Sequence, residues 1–187
     1  FTLYDTTLRD GTQGEGIAFT VRDKLHIVEL LDDLGVAMIE GGWPGSNPKD
    51  VEFFQEVRKL DLKQARIAAF GSTCHPKHSP ADDENIAAML AAETPIVTVV
   101  GKTWLRHVIN VIRTDAENNL RIIEESMRFL ADAGREVIFD GEHFFDGFLD
   151  DSTYSLRTLD AAVAGGATSL VLCDTNGGML PWQVGDV

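Results

Sequence analysis

The stretch that decides the fold is Asp5-Thr6-Thr7-Leu8-Arg9-Asp10-Gly11-Thr12-Gln13, which starts within a short strand predicted over residues 2–7. Acidic side chains, an arginine and an amide are crowded here at the end of that strand. A hard divalent cation prefers carboxylate oxygens, and Asp10 could supply one. Arg9 could stabilise an oxyanion that develops on a bound carbonyl. Because acid-rich turns are also common as structural features, a salt-bridged turn is the alternative interpretation.

After this stretch the chain alternates short β-branched strands with amphipathic helices. Further strands are predicted over residues 36–40, 65–70, 95–101, 136–140 and 169–173. Helices are predicted over residues 20–34, from the Asn47-Pro48 cap onward, and over 83–92, 115–133 and 153–164. Continuous apolar strands of this kind suit a parallel sheet buried on both faces. Strict βα alternation then leaves two architectures, a doubly wound open sheet or an eight-stranded barrel.

The first two helices each have an apolar face that should turn toward the core. On the first helix this face consists of Leu25, Val28, Leu31 and Leu34, with Gly35 as the predicted stop. On the second helix it consists of Val51, Phe54 and Val57.

Polar residues recur where the predicted strands end, and this pattern favours the barrel. They are Asp5–Asp10, Glu40, Gly71-Ser72-Thr73, Lys102, Glu142-His143 and Asp174-Thr175-Asn176. Barrels draw their active-site residues from the carboxyl ends of many strands, whereas a dinucleotide-binding sheet concentrates its signal in one glycine-rich turn after the first strand. No Gly-x-Gly-x-x-Gly pattern occurs. We therefore predict an α/β fold of the TIM (β/α)8-barrel type, truncated after about six βα units, with residues 1–187 forming one partial catalytic barrel and no second domain.

The charge balance narrows the class of ligand. The chain carries 30 acidic against 16 basic residues, a formal net charge of −14. Such a chain repels phosphate backbones and anionic membranes, so we expect no nucleic-acid or membrane partner. The two cysteines show no paired metal-binding spacing, which fits a reducing, cytoplasmic location with Cys173 as a small buried residue.

Two later strand ends carry further candidate residues. Glu142 is a candidate base or a residue that orients one, and His143 beside it is either functional or a hydrogen-bonded core histidine. In the same structural alternative, Asp146-Gly147 is a plain turn. Thr175 offers a hydroxyl to an acid substrate, although Asp174 and Thr175 could also cap the loop.

The loop after the second strand and the end of the fourth strand carry weaker signals. Glu40 is assigned mainly an architectural role, and Trp43 is expected to pack over the barrel mouth. Lys102 and Arg106 could attract an anionic cofactor or be ordinary surface residues.

These motifs together resemble the DRE-TIM metallolyase superfamily, which includes isopropylmalate, homocitrate and citramalate synthases and hydroxymethylglutaryl-CoA lyase. Asp5–Gln13 looks like the superfamily signature. Three further segments are similar to the citramalate synthase branch, and they are Glu40–Pro48, Glu142–Gly147 and Leu172–Gly178. The resemblance runs along the whole chain with the motifs in the same order.

The resemblance implies a metal-dependent Claisen condensation of acetyl-CoA with a 2-oxo acid, pyruvate in the citramalate case, within amino-acid biosynthesis on the isoleucine/leucine branch. It implies that Asp10 binds a divalent metal (Mg, Mn or Zn) and that Arg9 polarises the carbonyl. It places Gln13 near the metal and substrate, Glu142 among the catalytic residues, and Thr175 at the substrate carboxylate. In the functional interpretation of the sequence, His143 is a further substrate-binding residue. A cytoplasmic homodimer is implied for the full-length protein.

One departure from the superfamily pattern stands out. Two further metal ligands are expected from a His-x-His motif after a seventh strand, and no such motif occurs in this sequence. We therefore expect an inactive fragment with half a metal site and exposed sheet edges, or a chain that completes itself by association. The alternatives are an isopropylmalate or homocitrate synthase, a lyase that runs the reverse reaction, or a non-catalytic truncated barrel that binds a ligand or partner.

Overall fold

The structure is a computed structural model that describes residues 1–187. Its strands are β1 Tyr4–Asp5, β2 Met38–Gly42, β3 Arg66–Ser72, β4 Ile96–Lys102, β5 Glu136–Glu142 and β6 Ser169–Leu172. Its helices are α1 Val21–Leu34, α2 Pro48–Val57, α3 Glu84–Ala91, α4 Leu105–Asn110, α5 Ala116–Asp132, α6 Phe144–Asp150, α7 Ser152–Ala164 and α8 Pro181–Asp186. Single 3₁₀ turns span Asp10–Gln13 and Pro80–Asp82.

The six strands form one sheet in the order β1-β2-β3-β4-β5-β6. Neighbouring strands run parallel in the β1–β2, β2–β3 and β5–β6 pairs. A doubly wound sheet reverses its strand order at a switch point, whereas here every strand lies beside its predecessor in the chain. This order confirms the predicted succession of βα units and excludes the doubly wound alternative.

The chain divides into two compact units. The first comprises residues 1–71 and 84–98, and the second comprises residues 72–83 and 99–187. The single partial catalytic domain predicted for residues 1–187 stays a prediction. No helix is both long enough and apolar enough to cross a membrane.

The core of the first unit includes Val28, Ile39, Phe53 and Phe54, all at most 1% exposed. Both predicted apolar faces are partly wrong, since Leu34 is 77% and Val51 is 43% exposed. Each of the two helices instead buries an aspartate side chain.

On α1 the buried carboxylate is Asp32, which accepts backbone N–H bonds from Lys63, Gln64 and Ala65 at 2.7–3.0 Å. On α2 it is Asp50, which binds Lys24. An apolar pattern alone does not reveal a buried acid whose partners come from other segments.

The ends of α1 follow the sequence closely. Thr20 and Asp23 form a reciprocal capping box at its start. Gly35 ends it in the left-handed conformation with φ 95°, where glycine carries no Cβ penalty. The first strand, by contrast, is only two residues long, shorter than predicted.

In the second unit α5 and α7 pack together over a core that includes Ile122, Met127 and Phe139. The short helices α4, α6 and α8 were not predicted, because six or seven residues are too few to show helical periodicity. Asp146-Gly147, predicted as a plain turn, lies inside α6. A Cβ at Gly147 would lie 2.7 Å from the carbonyl oxygen of Thr103, so glycine permits this close approach.

Candidate functional site

The turn after β1 is organised by its own backbone and by Asp5. The Asp5 carboxylate accepts from the backbone N–H and the hydroxyl of Thr7 at 3.0 and 3.1 Å. The carbonyl oxygen of Thr6 accepts from the N–H groups of Arg9 and Gly11, each at 3.1 Å. These bonds place Arg9 directly before the 3₁₀ turn that carries Asp10 and Gln13.

Arg9 is held from two sides within the first unit. Its Nε donates to Glu40 Oε2 at 2.5 Å, and its guanidinium carbon lies 3.9 Å from the centre of the Phe70 ring. Its Nη1 donates to Asp10 Oδ1 at 3.1 Å, while Nη2 has no protein partner. The guanidinium is therefore fixed in orientation and keeps a free donor edge, as a group that binds an anionic oxygen requires.

Glu40 is the carboxylate that fixes Arg9. Its side chain is 1% exposed, and Oε1 accepts the hydroxyl of Tyr4 at 2.8 Å. The Tyr4 oxygen also lies 2.6 Å from Thr98 Oγ1. Burial, followed by the charge of Glu40, raises the pKa of Tyr4 well above its usual range, so the phenol stays a neutral donor. These contacts agree with the architectural role assigned to Glu40.

The loop after β2 is tied down by a buried ion pair. Lys24 Nζ donates to Asp50 Oδ1 at 2.5 Å and to the carbonyl oxygen of Gly41 at 2.7 Å. Asp50 Oδ2 accepts the backbone N–H of Trp43 at 2.8 Å. A Cβ at Gly41 would lie 2.4 Å from the Phe53 ring, which explains glycine there by close packing.

Trp43 packs against protein rather than extending freely into solvent. Its ring meets Phe70 edge-on at a centroid distance of 5.2 Å, and its Nε1 donates to Asn85 Oδ1 at 2.8 Å. Trp43 therefore packs on Phe70, the same ring that contacts the guanidinium of Arg9.

The second unit gathers a separate set of polar residues. Lys102 and Glu142, the last residues of β4 and β5, form a close ion pair. Thr103 donates its hydroxyl to the Glu142 carbonyl oxygen at 2.7 Å. Glu142 is therefore held by its backbone and by its carboxylate, and Lys102 is the cation paired with this candidate catalytic residue.

His143 follows Glu142 in the left-handed conformation, with φ 55° and ψ 33°. Its backbone N–H donates to Thr175 Oγ1 at 2.8 Å, and its Nδ1 lies 2.9 Å from Asp146 Oδ2. Asn176 Nδ2 donates to the same Asp146 oxygen at 3.0 Å. The strand-end segments after β5 and β6 therefore meet through side chains.

Aromatic rings surround His143 on one side. The His107 ring stands edge-to-face on it at 4.6 Å, and the Trp104 ring lies 5.9 Å away. Burial lowers the pKa of His107, and the charge of a protonated His143 lowers it further. His107 is therefore the neutral member of this pair when His143 is charged.

The structure brings the predicted site residues together in two groups. Arg9, Asp10 and Gln13 belong to the first unit, with Gln13 exposed on the 3₁₀ turn. Glu142, His143 and Thr175 belong to the second unit and are linked by adjacency and by a hydrogen bond.

Several residues to which the sequence assigned no role in the site support these groups. They are Tyr4, Phe70, Thr98, His107 and Asp146. Most of these partners are far apart in the chain, 36 residues for Tyr4 and Glu40 and 94 for Tyr4 and Thr98, so no local motif could reveal them. Asp174 accepts the backbone N–H groups of Gly178 and Met179, as the loop-capping interpretation expects. Cys173 was expected to be buried, but it is only partly buried and donates to Asp140.

The residues present do not form a metal site by themselves. The Asp10 side chain is 61% exposed and one of its oxygens already accepts from Arg9. No group of three or more His, Cys, Asp or Glu side chains is arranged to hold a metal ion. Asp10 offers one carboxylate oxygen, fewer ligands than a hard cation takes.

Comparison with known families decides which fold family this arrangement represents. The family model described as HMGL-like matches residues 1–187. The chain belongs to the HMGL-like family. The resemblance to the DRE-TIM superfamily is thereby confirmed.

Among its relatives, the (R)-citramalate synthase of Aquifex aeolicus is 49% identical over 185 residues, which is 99% of this chain and 35% of that protein. The 2-isopropylmalate synthase of Bradyrhizobium diazoefficiens is 31% identical over 179 residues, 96% of this chain and 33% of that protein. The chain therefore spans about a third of the length of the curated relatives it matches.

The fold is also that of a solved family member. The crystal structure of the Bacillus subtilis HMG-CoA lyase superposes with a TM-score of 0.77, covering 98% of this chain and 61% of that one at 18% identity. This likeness confirms the predicted barrel-type βα fold, and at this identity it supports nothing beyond the fold.

Proposed function

We propose that the protein containing this chain is an acyltransferase that condenses acetyl-CoA with pyruvate to give citramalate, a step in amino-acid biosynthesis. The observation that supports this most strongly is the similarity to curated (R)-citramalate synthases. Those of Aquifex aeolicus and Geobacter sulfurreducens are each 49% identical over 99% of this chain.

In this proposal Arg9 activates the electrophile, which is the ketone of pyruvate. When a carbon nucleophile attacks the pyruvate ketone, its carbonyl oxygen becomes an alkoxide. A fixed guanidinium with an unpaired donor edge stabilises such a developing charge, because no reorganisation is needed during the reaction. The contacts of Arg9 with Glu40 and Phe70 support this role.

Glu142 and Thr175 supply the other roles. Glu142 is the candidate base that removes a proton from the acetyl-CoA methyl group, so that the resulting enolate forms the new carbon–carbon bond. Hydrolysis of the thioester then releases CoA and makes the condensation favourable. Thr175 donates its hydroxyl hydrogen to the pyruvate carboxylate in this proposal, because the bond that its oxygen accepts from the His143 N–H leaves that hydrogen available.

A divalent metal ion belongs to the proposal as a Lewis acid that polarises the 2-oxo acid when bound. Asp10 is the residue of this chain that would bind it. The family resemblance implies the roles of Arg9, Glu142 and Thr175, and their contacts with other protein groups are compatible with those roles. The proposal also includes a cytoplasmic homodimer, which light scattering on the complete protein would test.

The test is an assay of the complete protein that contains this chain. CoA release from acetyl-CoA is followed with pyruvate, 2-oxoisovalerate or 2-oxoglutarate, each with and without a divalent metal, and the product is identified by chiral chromatography. We expect metal-dependent CoA release with pyruvate and a citramalate product. A preference for 2-oxoisovalerate would make the enzyme an isopropylmalate synthase, and no CoA release with any of the three acids would refute the proposal.

A further inference from the structure

A chain of hydrogen bonds in the second unit leads from the loop after β6 to the imidazole of His143. Asn176 Nδ2 donates to Asp146 Oδ2, and the same oxygen lies 2.9 Å from His143 Nδ1. The His143 side chain is 14% exposed and that of Asp146 is 27% exposed. Both are therefore largely shielded from water that would compete for these bonds.

This arrangement fixes the protonation of the His143 ring. Burial alone would raise the pKa of Asp146, but the hydrogen bonds from His143 and Asn176 hold it below its usual range. An ionised carboxylate can only accept hydrogen bonds, so Nδ1 must carry the proton. The second ring nitrogen, Nε2, has no protein partner and is left to meet a ligand.

The backbone of His143 adds a second constraint. A residue other than glycine is uncommon in the left-handed region and often marks a functional site when the surrounding structure holds it there. Here the holding contact is the bond from the His143 N–H to Thr175 Oγ1. His143 therefore carries the imidazole and, through its backbone N–H, also orients the Thr175 hydroxyl that is proposed to bind the substrate carboxylate.

The charges that face His143 come from several elements. Asp146 lies on α6, Lys102 and Glu142 end β4 and β5, and His107 lies on α4. Lys102 and Glu142 neutralise one another as an ion pair, and His107 has a lowered pKa. Asp146 is therefore the charged group in direct contact with the His143 ring.

We propose that Asp146 and Asn176 are positioning residues that hold His143 so that its Nδ1–H binds Asp146 and, in the imidazolium form, its Nε2–H donates to the carboxylate of the 2-oxo acid beside the Thr175 hydroxyl. This inference rests on the proposed function and names two residues and one atom that the family relationship does not assign. In a chain with a net charge of −14, an anionic substrate needs such local donors.

The first test is steady-state kinetics of the complete protein carrying Asp146→Asn. The amide preserves the shape of the carboxylate but removes the charge that the His143 ring contacts. We expect KM for pyruvate to rise about tenfold or more, with little change in KM for acetyl-CoA. Asn176→Ala should raise KM for pyruvate by less.

The matched control is Asp160→Asn, since Asp160 is an exposed carboxylate on α7 of the same unit and takes no part in this network. His143→Gly is a second variant that should fold at least as well, because glycine suits φ 55°. It should raise KM for pyruvate, and added imidazole should restore part of the affinity. Unchanged KM in Asp146→Asn and His143→Gly would overturn the proposal.

A readout that does not need turnover separates this inference from the proposed function. ¹⁵N NMR of His143 should show a proton on Nδ1 in the wild-type protein and a changed tautomer balance in Asp146→Asn. A ring protonated at Nε2 alone in the neutral state would overturn the positioning role even in an active enzyme. If the wild type releases no CoA with any 2-oxo acid, the proposed function fails, and pyruvate binding measured by calorimetry on these variants still decides whether His143 binds the carboxylate.

Discussion

Arg9 shows how a reactive group depends on a residue that touches no substrate. Its orientation comes from Glu40, whose carboxylate is almost fully buried and is itself held by the hydroxyl of Tyr4. A buried carboxylate with two donors is stable only if both donors stay in place. Glu40 therefore converts a flexible arginine into a preorganised one.

Replacing Glu40 by glutamine should lower both stability and activity. The variant keeps the shape of the side chain but loses the charge that Arg9 Nε binds, so we expect a loss of about 1.5–3 kcal/mol in the free energy of unfolding, as for a hydrogen bond to a charged group. We expect kcat/KM for pyruvate to fall with it. Glu93→Gln removes the exposed ion pair with Arg58 and should change unfolding by less than about 1 kcal/mol. Equal effects of the two substitutions in urea unfolding would contradict this assignment.

Lys102 is the second residue whose role depends on a neighbour, because it pairs with Glu142. Lys102→Met should lower kcat more than it raises KM, since the carboxylate loses the cation that directs it. In a double-mutant cycle with Glu142→Gln, the double variant should be little worse than the poorer single variant. Additive losses would show that Lys102 acts independently of Glu142. Lys59→Met, which breaks the exposed pair with Glu56, serves as the control.

At the scale of elements, the loop after β2 is fixed by two helices rather than by its own sequence. Lys24 from α1 and Asp50 from α2 pair beneath it and bind backbone groups of Gly41 and Trp43. The proline and glycine residues of this loop shape the turn, but the buried pair sets its position. The loop in turn supplies Trp43 to the Phe70 ring.

Lys24→Met should therefore be strongly destabilising. It leaves the Asp50 carboxylate buried without its cation, which costs about 3–5 kcal/mol in comparable pairs. Adding Asp50→Asn to that variant should recover part of the loss, because the uncompensated charge is then gone. Thermal unfolding of the wild-type protein and the two variants measures this effect. The control is Lys63→Met, which breaks the exposed pair with Asp33. If Lys24→Met destabilised the protein no more than Lys63→Met does, the prediction would be wrong.

At the scale of the whole molecule, the four-residue strand β6 differs from its neighbour β5 in exposure. Its residues Leu170, Val171 and Leu172 are 37%, 40% and 42% exposed, whereas Val137, Ile138 and Phe139 of β5 are at most 3% exposed. β6 is also the last strand in the sheet order. An exposed apolar edge strand is a site of association.

We expect the 187-residue chain to associate with rising concentration and Val171→Lys to reduce that association. A lysine on an edge strand adds charge and disfavours strand pairing with another molecule. Val163→Lys makes the same change at an exposed valine on α7 and should have little effect. Sedimentation velocity measures the difference, and identical association of the two variants would argue against β6 as the contact.

How much could be predicted from the sequence depended on whether the signal was local. The capping box at Thr20, the stop at Gly35 and the succession of βα units are written in residues that are neighbours in the chain. The short helix α6 was missed because its seven residues show no usable period. The carboxylates Asp32 and Asp50 were missed as buried residues because their partners lie elsewhere in the chain.

The sequence by itself determined the family, the order of the strands and the residue types that stand at the strand ends. It did so because hydrophobic periodicity, caps and motif spacing act over a few residues. Only the tertiary structure decided which partners those residues have, since Glu40 lies 31 residues from Arg9 and Asn176 lies 30 from Asp146. The physical reason is that a charged side chain gains its direction from the groups packed against it, and in a parallel βα fold those groups come from the next strand rather than from the next residue.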